Sequence, residues 1–126
     1  MLRVLIVEDD AILCFLNRKY IEFMGYEIVA VATNGEDAID AAKKHKPDVI
    51  LMDIRLQGDL DGIETATEIA KFIDVPIIYT TASSGEVSRI QAAKSNMLGF
   101  CVKPIDVDEL KLLLLKVDTE SSLQKF

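Results

Sequence analysis

The chain has 126 residues, half of them hydrophobic and 28% charged, and its net charge is −7. This length suits one domain with a substantial core and is too short for two. The acidic balance argues against direct binding to a nucleic-acid backbone. No apolar run approaches the roughly 20 residues that span a membrane, and the first residues lack a signal-peptide pattern, so we expect a cytoplasmic location. In that compartment Cys14 and Cys101 are expected to stay reduced.

Predicted strands and helices alternate along the chain. Apolar runs rich in Val and Ile predict strands at residues 3–7, 27–32, 49–53, 76–80 and 99–102. Helical periodicity predicts helices at residues 11–24, 35–45, 62 to about 73, 83–96, and from the cap residue Asp106 to about 117. Gly25 is placed to end the first helix, while Asn34 and Asp61 are placed to cap the second and third.

This alternation indicates βαβ crossovers, a parallel sheet and helices on both of its faces. Residues 1–117 are expected to form the domain and residues 118–126 a frayed C-terminal tail. With a strand order of 2-1-3-4-5, the strand that ends at Asp53 would be central, and the carboxyl ends of its neighbours would surround that residue.

Polar residues follow four of the predicted strands. Glu8, Asp9 and Asp10 follow the first, Asp53 ends the third, Thr81 follows the fourth and Lys103 follows the fifth. Three or four close carboxylates repel one another strongly, and one lysine cannot compensate them all. Their oxygen ligands suit Mg²⁺. The pattern therefore predicts a site where Asp53 is a nucleophile forming an aspartyl phosphate, with the metal ion, Lys103 and the Thr81 hydroxyl stabilising the phosphoryl oxygens. Asp10 is interpreted as a helix cap rather than a ligand.

Four short motifs occur in an order and at spacings that resemble the receiver domain of two-component response regulators. They are Val7-Glu8-Asp9, Met52-Asp53, Thr81-Ala82 and Lys103-Pro104. The resemblance covers nearly the whole chain and implies a flavodoxin-like (βα)5 doubly wound sheet. It also implies phosphotransfer to Asp53 from a partner histidine kinase or histidine phosphotransfer protein.

The resemblance further implies a ligand set for Mg²⁺. Asp9, Asp53 and the backbone carbonyl of Arg55 would bind the ion, Glu8 would act through a coordinated water, and Lys103 would contact the phosphoryl group. Such a domain is a signalling module that catalyses only its own phosphorylation and dephosphorylation.

A conformational switch is also implied. Thr81 would move toward the phosphoryl oxygens and the aromatic Phe100 would rotate inward behind it. The signal would leave through the face made by helix four, strand five and helix five, toward a protein target or a second copy of the chain. Leu112 and Leu115 are left over when the last helix packs on the sheet, so they are either scattered surface leucines or part of such a surface.

The loop after Asp53 departs from the family pattern, because residues 55–62 contain no proline and are one residue longer. Arg55, two residues after Asp53, is expected to affect the lifetime of the phosphate. A phosphatase of the haloacid dehalogenase type would need a second acid at that position, which Arg55 cannot supply. An FMN carrier would have to place its phosphate on the acidic Glu8-Asp9-Asp10 turn. A receiver-like module that only binds partners is the third alternative.

Overall fold

The fold is a single parallel sheet between two layers of helices. A computed structural model describes residues 1–93 and 95–124, with all side chains in that part except those of Ala92 and residues 120–124. The strands are β1 (Arg3–Val7), β2 (Glu27–Ala32), β3 (Val49–Asp53), β4 (Pro76–Thr81) and β5 (Asn96–Val102). The helices are α1 (Ala11–Phe23), α2 (Gly35–His45), α3 (Gly62–Ala70), α4 (Val87–Ala92) and α5 (Val107–Gln124), with a 3₁₀ turn at Ser84–Glu86. The strand order is β2-β1-β3-β4-β5, which confirms the predicted flavodoxin-like topology.

Helix starts follow the predicted caps. The Asn34 side chain accepts from the Asp37 N–H at 2.8 Å. Asp61 forms a reciprocal capping box with Glu64 at the start of α3. Asp10 accepts from the N–H groups of the second and third residues of α1, at 2.9 and 3.0 Å, which agrees with its interpretation as a cap. These caps fix where each helix begins relative to the strand before it.

The core has two layers because side chains alternate across the strands. On one face, strand residues such as Leu5 and Ile50 pack with α2, α3 and the buried Ile90 of α4. On the other, Ile6 and Leu51 pack with α1 and α5. All five residues of β3 are buried, as expected of a central parallel strand. The central strands are therefore covered on both faces, while the outer strands β2 and β5 are mostly only partly buried.

The predicted helix at residues 83–96 is too long. The α-helix ends at Ala92 and β5 already begins at Asn96, where it pairs with Pro76 at the start of β4. Ser95, just before β5, shares a 2.7 Å hydrogen bond with the buried Tyr79 hydroxyl. Pairing with a distant strand overrides the weak local helical pattern here. Residue 94 lies outside the described part of the chain.

Two further helix ends differ from prediction. Helix α3 ends at Ala70 rather than near Ile73. Helix α5 continues to Gln124, so the expected end near residue 117 is wrong, although Leu110, Leu114 and Val117 pack on the sheet as predicted. Residues 125 and 126 of the predicted tail lie outside the described residues. The domain boundary at 117 stays a prediction.

Helix α1 exposes part of its apolar side to solvent. Its apolar residues Ile12 and Phe15 are 73% and 58% exposed, while Ile21 provides the fully buried contact. Neither α1 nor any other helix in the described part of the chain is both long and apolar enough to cross a membrane.

Candidate functional site

The carboxyl edge of the sheet gathers most of the predicted site residues. Val7 pairs with Met52, Asp53 pairs with Thr80, and Thr80 pairs with Cys101, so the ends of β1, β3, β4 and β5 lie side by side. Residues that follow these ends must therefore share one small region. Topology, not sequence proximity, assembles the site.

Three carboxylates form a cluster at this edge. One oxygen each from Glu8, Asp9 and Asp53 lies within 4.8 Å of the others. Glu8 is 1% exposed and Asp53 is 2% exposed, whereas Asp9 is partly exposed. An oxygen-only cluster with one side open to solvent has the chemistry of a site for a hard divalent cation.

Lys103 is the cation in direct contact with this cluster. Its Nζ lies 3.1 Å from Glu8 Oε1 and 3.1 Å from Asp53 Oδ1. Its backbone N–H donates to the Thr81 carbonyl at 2.7 Å, and the peptide bond that follows, to Pro104, is cis. Burial alone would lower the pKa of Lys103, but the two carboxylates outweigh it and raise the pKa. Lys103 is therefore held as an ammonium group against Asp53.

The negative charge is nevertheless undercompensated. Burial raises the pKa of Glu8 from its usual 4.5 to about 7, and the adjacent Asp53 carboxylate adds to the rise. Glu8 Oε1 is buried and has no hydrogen bond, because its contact with Lys103 is ionic without suitable hydrogen-bond geometry. A buried carboxylate oxygen that lacks a hydrogen bond is destabilising. These residues therefore fit a further positive ion.

The loop after β3 closes over the cluster. The Arg55 N–H donates to Asp53 Oδ1 at 3.2 Å, and the Gln57 N–H donates to Asp9 Oδ2 at 3.2 Å. Two backbone donors thus fix the orientation of two carboxylates. The role predicted for the Arg55 carbonyl as a metal ligand stays a prediction.

Thr81 lies at the edge but does not use its hydroxyl on Asp53. The Thr81 hydroxyl donates to the Ser83 carbonyl at 3.0 Å and accepts from the Ser83 N–H at 3.3 Å. Phe100 pairs with Tyr79 across β4 and β5 and is partly buried against the core. The structure thus places Thr81 at the last position of β4, with its hydroxyl turned to the following turn, while Glu8, Asp9, Asp53 and Lys103 come together.

Sequence reasoning missed a chain of charged contacts beside the site. An Arg55 guanidinium nitrogen lies 2.6 Å from Glu86 Oε1, and Arg89 contacts both Glu86 Oε2, at 2.9 Å, and Asp61 Oδ2, at 2.6 Å. Burial would raise the pKa of Asp61, but the Glu64 N–H and Arg89 outweigh it and lower the pKa. Arg55 and Glu86 are 31 residues apart, so no local pattern could have linked them.

Comparison with known proteins identifies the family. The model of the response regulator receiver domain matches residues 4–115, so this chain belongs to the receiver domains of two-component response regulators. These are signalling domains, and the sequence resemblance is confirmed.

Relatives range from single receiver domains to much longer regulators. Chemotaxis protein CheY of Thermotoga maritima is 35% identical over 116 residues, which cover 91% of this chain and 96% of that protein. Transcriptional regulatory protein ZraR of Klebsiella oxytoca is 37% identical over 112 residues, which cover 88% of this chain but only 25% of that protein. A crystal structure of the signal receiver domain of a modulated diguanylate cyclase from Desulfovibrio desulfuricans G20 matches with a TM-score of 0.85 at 35% identity, covering 97% of both chains. This chain thus spans about a quarter of ZraR and nearly all of CheY.

Proposed function

We propose that this receiver domain accepts a phosphoryl group on Asp53 from the phosphohistidine of a histidine kinase or a histidine phosphotransfer protein. The observation that carries the proposal is the position of the Asp53 carboxylate, buried against Lys103 and clustered with Glu8 and Asp9. A carboxylate nucleophile needs cations around it to accept a group that is itself negatively charged.

Magnesium is the cofactor that we assign to this reaction. Asp9, Asp53 and the Arg55 carbonyl would bind it, and Glu8 would act through a water. The acidic cluster and the buried Glu8 oxygen without a hydrogen bond support this assignment. When bound, the ion would supply positive charge that stabilises the oxygens of the phosphoryl group during its transfer.

The chain's own residues divide the remaining work. Asp53 Oδ1 faces Lys103 and the Arg55 N–H, so Oδ2 is the oxygen that attacks phosphorus. The new O–P bond forms as the P–N bond to the donor histidine breaks, and the electron pair of that bond returns to the imidazole. Lys103 holds a phosphoryl oxygen by charge, because its ammonium group already lies 3.1 Å from the nucleophile.

Phosphorylation then changes the conformation of residues at the ends of β4 and β5. The Thr81 hydroxyl leaves Ser83 for a phosphoryl oxygen, and Phe100, which is only partly buried, turns into the space behind it. The face formed by α4, β5 and α5 exposes Val102, Leu112 and Leu115, at 39%, 69% and 40%. Apolar groups in this number suit a protein target or a second copy of the chain.

Mass spectrometry of the intact protein tests the proposal directly. Incubation with Mg²⁺ and a small acyl phosphate is expected to add one phosphoryl mass to the parent and to Asp40→Asn, an exposed aspartate substitution on α2. Asp53→Asn is expected to stay unmodified. Equal labelling of Asp53→Asn, or no labelling of the parent, would refute the assignment.

The phosphatase alternative is disfavoured by Arg55. At the position where that class needs an acid for the leaving group, the guanidinium of Arg55 is paired with Glu86 and does not release a proton near neutral pH. We therefore expect negligible hydrolysis of p-nitrophenyl phosphate. The FMN alternative is disfavoured because Glu8 and Asp9 would repel the cofactor phosphate, and we expect a colourless protein.

A further inference from the structure

Four charged residues of alternating sign link the loop after β3 to the start of α4. We call Arg55, Glu86, Arg89 and Asp61 the charge chain. It runs from Arg55, two residues after Asp53, through the carboxylate of Glu86 to Arg89 and back to Asp61, the cap of α3. The four charges sum to zero, and each carboxylate of the charge chain lies against at least one guanidinium.

Glu86 is the buried member of the charge chain. Its side chain is 11% exposed, and each of its two oxygens receives one guanidinium. Glu86 is the last residue of the 3₁₀ turn and directly precedes α4. A carboxylate at this depth needs its partners, so loss of one contact destabilises the segment that carries it.

Arg55 is the most exposed member of the charge chain. Its side chain is 74% exposed, so its guanidinium can move without disturbing the core. Its backbone N–H already donates to Asp53 Oδ1, so the side chain starts beside the proposed phosphorylation site. A phosphoryl group carries up to two negative charges and binds a guanidinium through two parallel hydrogen bonds, whereas Glu86 offers Arg55 one oxygen.

We propose that Arg55 is a second phosphoryl-binding residue, which exchanges Glu86 for the phosphoryl group on Asp53 and thereby loosens the first turn of α4. The proposal rests on the proposed function, since it needs phosphorylation of Asp53. Arg89 keeps its contacts with Glu86 Oε2 and Asp61, so the start of α4 pivots on Arg89 and is not released entirely.

The same segment has a second contact that phosphorylation would break. Ser83, the cap of the 3₁₀ turn, is held by the Thr81 hydroxyl, which we expect to move to the phosphoryl group. Thr81 therefore holds one end of residues 83–86 and Arg55 the other. Removing Arg55 should change the response of this segment even when Thr81 is intact.

Hydrogen exchange of the amides in residues 84–92 measures this release. The probe is Mg²⁺ with beryllium fluoride, a stable mimic of the acyl phosphate, added to the parent, Arg55→Met, Glu86→Gln and Arg18→Met. Arg18 is the matched control because it makes an exposed ion pair with Glu22 on α1. Fluorine NMR reports bound beryllofluoride separately in each variant.

In the parent and in Arg18→Met, the probe is expected to speed exchange of residues 84–92 by about fivefold, the scale of one partly exposed ion pair. In Arg55→Met and Glu86→Gln, the amides of residues 84–92 are expected to exchange at this faster rate before the probe is added. Their exchange rate should then change by less than about twofold when the probe binds. Because Arg55 is largely exposed and Glu86→Gln preserves shape, both variants should fold.

Two failures are distinguishable. If beryllofluoride binds the parent but Arg55→Met responds by the same factor as the parent, the role of Arg55 is overturned and the proposed function stands. If the parent binds no beryllofluoride and gains no phosphoryl mass, the proposed function fails and the role of Arg55 fails with it.

Discussion

Gly62, the first residue of α3, lies against the end of β3, and we predict that Gly62→Ala displaces the backbone that carries Asp53. A Cβ at residue 62 would overlap the Asp53 carbonyl oxygen and lie only 2.8 Å from both the Asp53 carbonyl carbon and Ile54 Cα. Carbon atoms in contact stand about 3.5–4.0 Å apart, so the two segments must separate by about 0.7 Å or more. The same shift strains the 2.8 Å hydrogen bond from the Gly62 N–H to the Ile54 carbonyl.

We expect Gly62→Ala to destabilise the protein by about 2–3 kcal/mol, the upper range for overpacking against atoms that cannot rotate away. With a urea dependence of about 1.5 kcal/mol per molar for a domain of this size, the unfolding midpoint should fall by about 1.3–2 M. The rate of phosphorylation by an acyl phosphate should fall as well, because Asp53 moves relative to Lys103.

Gly85→Ala is the matched control. A Cβ there would meet only Ser83 Oγ, at 3.4 Å, so the free energy of unfolding of this variant should lie within about 0.5 kcal/mol of the parent's. If Gly62→Ala unfolds at the same urea concentration as Gly85→Ala, the argument from backbone crowding is wrong.

Three other predictions concern the cap of α3, the site lysine and the last helix. The pKa of Asp61 is lower in the folded protein than in the unfolded chain. Ionised Asp61 therefore stabilises the fold fully at a pH above its unfolded-state pKa, and this stabilisation is lost as the pH falls through its folded-state pKa. Asn caps a helix about as well as Asp, so Asp61→Asn mainly loses the ion pair with Arg89 and should be less stable than the parent at pH 7 by about 0.5–1 kcal/mol. The difference in urea unfolding should shrink in acid; a constant difference would contradict this. Lys103→Met should slow phosphorylation by an acyl phosphate about 10- to 100-fold, measured by intact mass against time, and an unchanged rate would exclude the proposed role of Lys103. Leu114→Ala should lower the free energy of unfolding, measured by heat or urea, by about 2–4 kcal/mol because Leu114 is 1% exposed. Leu112→Ala, at a site 69% exposed, should be nearly neutral. Similar losses for both variants would mean that α5 packs differently.

The sequence predicts the fold wherever local and long-range preferences agree. β1, β2, β3 and α2 have the predicted bounds, since each combines a clear pattern with a strong stop or cap such as Asn34. The carboxylates and Lys103 were found because parallel topology converts positions at strand ends into neighbours.

Prediction fails where a distant partner decides. Asn96 belongs to β5 because it pairs with Pro76, and this contact is not visible in the helical pattern of its own segment. On α1, periodicity indicates an apolar side but does not reveal that Ile12 and Phe15 turn to solvent. Glu86 could not be recognised as a partner of Arg55, since that pairing exists only once β3 and β4 lie side by side.

The burial of all five residues of β3 has a consequence for how relatives of this domain can diverge. Substitutions within that strand disturb packing on one face of the sheet or the other, so they are poor candidates for adjusting how long a signal persists. The loop that begins at Arg55 is largely open to solvent and already touches the carboxylates, so it can vary at little expense to folding. Differences in timing between otherwise similar regulators should therefore accumulate just past the position of Asp53, and not before it.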